Sequence, residues 1–99
     1  MKILLIALIT TSQTFAGFQW LYGEKIAAET VCRQRFISPV QRTSACLLGV
    51  TAYGDARGWQ GIETTRSQAQ TACQTLCAGA GELTVYCRNG CQFGRDADK

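Results

Sequence analysis

The chain has 99 residues, with ten Lys and Arg against seven Asp and Glu, six cysteines and no histidine. A net charge of +3 is too small to argue for a nucleic-acid partner. The missing histidine removes the commonest zinc ligand and the usual base beside a nucleophilic serine or cysteine.

Met1-Lys2 is a short basic start, Ile3 to Ile9 is an unbroken apolar run, and Thr14-Phe15-Ala16 offers small residues where signal peptidase reads them. This predicts a secretory signal peptide over 1–16, and a secreted, extracellular product (periplasmic in a bacterium). Thr10, Thr11, Ser12 and Gln13 end the apolar run well short of the roughly 20 residues of a membrane-spanning helix. Residues 17–99 are expected to form a single small disulfide-rich domain, with nine Lys and Arg against seven Asp and Glu, a net of +2. In that size range apolar burial only marginally offsets chain entropy, so covalent staples are expected. An even cysteine count in a short exported chain reads as three disulfides. A zinc site of four thiolates, Cys73, Cys77, Cys87 and Cys91, is the disfavoured alternative, and no metal or cofactor is expected.

Phe18-Gln19-Trp20-Leu21-Tyr22 leads into a first predicted helix, Glu24 to Phe36, whose apolar residues Ile26, Ala27, Ala28, Val31 and Cys32 have helical spacing. Ser38-Pro39-Val40-Gln41 then offers an N-cap serine, a proline at the first helical position and a glutamine at the third, the pattern of a capping box. The helix that follows carries its apolar stripe at Val40, Thr43, Cys46, Leu47, Val50 and Tyr53. Gly54 to Gly61 contains three further-spaced glycines, Gly54, Gly58 and Gly61, and reads as a central loop. A third helix should place Ile62, Arg66, Ala69, Cys73, Leu76, Cys77 and Ala80 on one face, with Thr65-Arg66-Ser67-Gln68 as a second capping box and Ala78-Gly79-Ala80-Gly81 as its end. The segment from Glu82 to Phe93 is ambiguous: Leu83-Thr84-Val85-Tyr86 favours strand, whereas Cys87 and Cys91 at i and i+4 suit a helix. The polar tail Arg95 to Lys99 is expected to fray.

The cysteines are mirror-symmetric. Cys73 and Cys77 mirror Cys91 and Cys87 about position 82, and Cys32 mirrors Cys46 about position 39. In an antiparallel helix pair, residues equidistant from the turn face each other, and cysteines four apart share a face. The spacing therefore suggests the bonds Cys32–Cys46, Cys73–Cys91 and Cys77–Cys87, among the 15 connectivities that six cysteines allow. Ala28 and Val50, also equidistant from position 39, occupy the place of a second rung in the first hairpin. The expected fold is all-α, a small disulfide-rich bundle of about four short helices arranged as two antiparallel hairpins.

Cys73-Gln-Thr-Leu-Cys77 with Cys87-Arg-Asn-Gly-Cys91 resembles the twin C-x-x-x-C helical hairpins of disulfide-stabilised helical toxins and of small intermembrane-space chaperones. Tyr86 to Gln92 is similar to the lumenal cysteine repeats of the transmembrane protein 59 family. The chaperones lack a secretory signal and the membrane family has a transmembrane helix, so these resemblances imply a hairpin fold and no functional residues. A competing resemblance is to arthropod defensins, carried by Ala72-Cys73, Cys77 and Tyr86-Cys87, with Asn89-Gly90 as a hairpin turn. The C-x-C pair that closes the defensin pattern is missing, with Phe93 two residues beyond Cys91.

No acidic pair is spaced for joint acid and base work, and the glycines match no phosphate-binding fingerprint. Full disulfide pairing leaves no thiol nucleophile. A non-enzymatic protein is therefore expected. Its candidate binding residues are Tyr53, Arg57 and Trp59, beside Asp55, because Trp, Tyr and Arg dominate interface hot spots; the simpler and preferred expectation has Trp59 folded back over the small core. Arg33, Arg35 and Arg42 cluster around the first turn and could meet an anionic membrane or an acidic partner, although solvated helix arginines are the simpler expectation. The expected partner is an extracellular protein or receptor, met by a toxin-like effector or signalling modulator. A membrane-active, defensin-like host-defence peptide is the alternative, disfavoured by the small net charge.

Overall fold

A computed structural model of the chain describes residues 18–21 and 23–99. The expected signal segment, Met1 to Ala16, lies outside the described residues. The described chain is helical and contains no strand: α1 (Glu24–Arg35), α2 (Val40–Arg57), a 3-10 turn (Trp59–Gly61), α3 (Arg66–Cys77), a 3-10 stretch (Ala78–Leu83) and α4 (Thr84–Ala97). Arg66 to Ala97 is helical on both sides of a bend at Gly81. The described residues thus form three helical stretches, 24–35, 40–57 and 66–97, rather than about four. The reason is local: Ala78–Leu83 stays helical except at Gly81, whose φ of 60° and ψ of −124° bend the chain in a region that only glycine enters readily.

Short-range chemistry accounts for each helix. Glu24 opens α1 and accepts a hydrogen bond from the Leu21 N–H at 3.0 Å. Arg33 and Arg35 sit in its last turn, where positive charge complements the helix dipole. The expected cap at Ser38 is corrected: α2 begins at Val40 with Pro39 as N-cap, extended at φ −73° and ψ 160°, and no side chain caps it. Ser38 thus stands one residue outside the N-cap position. The start of α3 has the full reciprocal box, the Gln68 N–H donating to Thr65 Oγ1 at 3.0 Å and the Thr65 N–H to Gln68 Oε1 at 2.9 Å.

The expected central loop begins four residues later than the glycines suggest. α2 continues through Gly54, Asp55, Ala56 and Arg57, because Gly54 lies against the Trp20 indole, where a Cβ would come within 2.6 Å of Nε1. The ambiguity over residues 82–93 resolves as helix α4, whose buried residues Cys87, Gly90, Cys91 and Gly94 repeat at i, i+3, i+4 and i+7. Asn89-Gly90 is therefore no hairpin turn. Burial of that face outweighs the strand preference of Leu83 to Tyr86.

Three disulfides join Cys32 to Cys46, Cys73 to Cys91 and Cys77 to Cys87, with Cα–Cα separations of 5.6, 5.9 and 5.5 Å. The last two staple α3 and α4 in antiparallel sense, since ascending positions on one pair with descending positions on the other. One core cluster gathers Tyr53, Ala56, Ala69 and the four cysteines of this ladder. The other is Ala28, Cys32, Cys46 and Val50, so the Ala28 and Val50 positions do pack beside the single rung. Trp20 packs against both clusters.

The two halves meet chiefly where α2 crosses α4, and there the contact is backbone to backbone. A Cβ on Gly90 would fall 2.8 Å from the Cys46 carbonyl carbon and closer still to its oxygen; one on Gly49 would meet the Cys87 carbonyl in the same way. Glycine at both positions is what lets the helices touch.

Candidate functional site

The end of α2 and the outer face of α3 form a groove of about 570 Å³. α2 contributes Asp55 and Ala56, the 3-10 turn contributes Trp59, and α3 contributes Gln68, Ala72, Thr75 and Leu76. Trp59 is 62% exposed and Leu76 is 66% exposed. The preferred sequence-based expectation, Trp59 folded over the core, is overturned, and the reason is visible. The Trp20 ring lies 5.9 Å from Tyr53, and Phe18 stacks edge-on against Trp20 at 5.3 Å while lying under the Arg57 guanidinium at 4.8 Å. Two earlier aromatics already cover that flank, so the turn at Gly58 sends Trp59 outward.

Tyr53 and Arg57, expected beside Trp59 as binding residues, are instead buried. Both hold Asp98: Tyr53 Oη donates to Asp98 Oδ2 at 2.7 Å, and Arg57 Nε donates to the same oxygen at 2.7 Å. Arg57 Nη1 also donates to the Thr64 carbonyl and lies 3.3 Å from Glu63 Oε2. Burial first, and then the hydrogen bond to Asp98, push the Tyr53 hydroxyl above its ordinary range. For Arg57, burial opposes the charge, but its bonds to Asp98, Glu63 and Tyr53 outweigh it and raise the guanidinium's affinity for its proton. The expectation of a frayed tail is therefore corrected. Arg95 to Ala97 are helical and Asp98 is locked into this buried cluster, because its carboxylate supplies the counter-charge that Arg57 needs.

Sequence reasoning missed Leu76 as a surface residue. It stands one residue before Cys77 on the expected apolar stripe, yet the cysteines take the inner face and Leu76 points into the groove. Ile62, placed on the same stripe, is likewise exposed. The groove can offer dispersion and apolar contact around one indole; Asp55 is its charged lining residue. A second hollow of about 710 Å³ lies between α1 and α4 over Ala27, Ala28 and Val31; among the described residues its aromatic is Phe93, half-buried beneath the Arg35 guanidinium at 5.4 Å.

The sulfurs of Cys73, Cys77 and Cys91 lie within 4.8 Å of one another, yet each is spent in a disulfide, and no free cysteine exists among the described residues. A metal site would need them as thiolates. Comparison of the chain with known protein families, with curated proteins and with solved structures finds no match.

Proposed function

We propose that this is a secreted, non-enzymatic protein of the toxin-like effector or signalling-modulator kind, built as two antiparallel helical hairpins, that binds an extracellular protein through the Trp59 groove. The observation that carries the proposal is the exposure of Trp59 and Leu76 side by side on a disulfide-bonded scaffold. A large aromatic held in water has a hydrophobic cost that docking removes, and tryptophan is enriched at binding hot spots. Helices tied by disulfides lose little conformational entropy on docking, which favours affinity. The N-terminal pattern of Met1 to Ala16 supports export, and the disulfides suit an oxidising compartment.

Export is tested by expressing the full chain in a secreting host and sequencing the N-terminus of the product. A chain beginning at Gly17 is expected, and an intracellular chain retaining Met1 contradicts export. Recognition is tested by measuring the binding of labelled mature protein to intact cells, with and without trypsin stripping of their surface proteins. Saturable binding that is lost both on stripping and in Trp59→Ala or Leu76→Ser, with the far-ultraviolet circular dichroism unchanged, is the expected result. Equal binding by these folded variants would remove the groove from the function.

A further inference from the structure

We propose that the connection between α1 and α2 is a second interaction surface, one that seats the protein on an anionic lipid bilayer. Ile37 is 80% exposed and Val40 is 67% exposed. Ile37 stands between the two helices and Val40 is the first residue of α2, and both hold apolar side chains out to water. Looseness does not explain their exposure. The Cys32–Cys46 bond closes the base of the connection, the Phe36 N–H donates to the Cys32 carbonyl at 3.0 Å, Thr43 Oγ1 donates to the Phe36 carbonyl, and the Phe36 ring meets Tyr86 edge-on at 5.1 Å.

Charge selects the partner. Between Glu29 and Asp55 the chain carries Arg33, Arg35 and Arg42 and no acidic residue, and all three arginines are exposed. None forms a salt bridge among the described residues, where the ion pairs belong to Arg57 and Arg66. Arg35 lies over Phe93 at 5.4 Å and Arg42 over Tyr86 at 5.1 Å. Stacking fixes each guanidinium in place without neutralising it, and its N–H edge stays free to donate to phosphate. Glu82 shares a small hollow with Pro39 and Arg42, and Asp96 shares the larger hollow with Arg35, so the arginines outnumber the acidic groups near them.

A bilayer fits these features better than an acidic protein does. Projecting apolar side chains need a matching pocket on a protein, whereas the headgroup and acyl boundary accepts them without one, to a depth of about 5–10 Å. The tip is also separate from the Trp59 groove, because the 18 residues of α2 put about 25 Å between them at the helical rise. The protein can therefore lie on a membrane by one end and present its groove from the other.

The test is flotation of the oxidised mature protein with vesicles of phosphatidylcholine mixed with phosphatidylglycerol, beside vesicles of phosphatidylcholine alone. Binding confined to the anionic vesicles and weakened by salt is expected. An arginine near such a surface contributes roughly fivefold, so Arg33→Gln with Arg42→Gln should weaken partitioning by about 25-fold. Ile37→Ser should weaken it by about tenfold, and Trp59→Ala should leave it unchanged, with circular dichroism verifying the fold of each. Failure of the wild type to float, equal binding to neutral vesicles, or wild-type binding by the Ile37 variant overturns the proposal. Capture by soluble polyglutamate that is indifferent to Ile37→Ser would likewise overturn it, in favour of an acidic protein. On cells, lipid binding survives both stripping and Trp59→Ala, so the groove is read from the trypsin-sensitive fraction of the binding alone and the two proposals fail separately.

Discussion

Gly90→Ala separates backbone propensity from packing, because the two predict opposite signs. In an exposed helix the replacement of glycine by alanine would stabilise by about 1 kcal/mol. At this crossing the added Cβ would fall 2.8 Å from the Cys46 carbonyl carbon and 3.0 Å from the Gly49 Cα, both backbone atoms that no rotamer change can clear. α4 would have to move away from α2 while the disulfides at Cys87 and Cys91 hold it on α3. Overpacking costs about 1–3 kcal/mol, and rigid backbone on both sides argues for the upper end. The net loss is then about 2 kcal/mol, or a fall of about 10 °C in the melting temperature of a domain this small. Gly79→Ala is the control: a Cβ there meets nothing within 4 Å, and the lost freedom of the unfolded chain should stabilise it by about 0.5 kcal/mol. Thermal unfolding of both oxidised variants by circular dichroism decides the matter. A Gly90→Ala protein that melts at or above the wild type would refute the backbone contact between α2 and α4.

Asp98→Asn leaves the buried Arg57 guanidinium with Glu63 as its remaining carboxylate, and denaturant titration should show a loss on the order of 3 kcal/mol; a loss within experimental error would mean that the tail is not docked. The folded protein holds the Tyr53 hydroxyl above its ordinary 10.0. An unfolded tyrosine ionises near pH 10 while the folded one stays protonated, so stability should be intact below about pH 10 and fall as pH rises beyond it. Tyr53→Phe should flatten that alkaline decline, and an unchanged slope would assign it to other groups. Thr65→Ala removes the reciprocal cap of α3 and should cost about 1 kcal/mol, read as roughly fivefold faster amide exchange in the first turn of that helix; unchanged exchange there would deny the cap its role.

Much of the scaffold was legible because its signals are local. The mirror spacing of the cysteines encodes which helix faces meet, and Thr65-Arg66-Ser67-Gln68 marks the start of α3 by side chains that bond within one turn. The misread parts depend on partners distant in sequence. Gly54 and Gly90 look like breakers by composition, yet both sit inside helices because another backbone or an indole needs the space a side chain would take. Asp98 looks like part of a polar tail, and nothing near it in sequence announces Tyr53 or Arg57, more than 40 positions away. The site was legible only in part for the same reason. Trp59, Tyr53 and Arg57 lie within seven residues of one another, but which of them faces water depends on Phe18 and Trp20 having taken the inner flank first.

Both surfaces depend on a covalently tied helical scaffold, and disulfide mapping of the protein from Gly17 onward by mass spectrometry reads that scaffold bond by bond. Cleavage after Leu76 separates Cys73 from Cys77, and cleavage after Arg88 separates Cys87 from Cys91, so each rung yields its own linked peptides. Cys32 is expected with Cys46, Cys73 with Cys91 and Cys77 with Cys87. A peptide linking Cys32 or Cys46 to any of the other four cysteines would contradict this pairing.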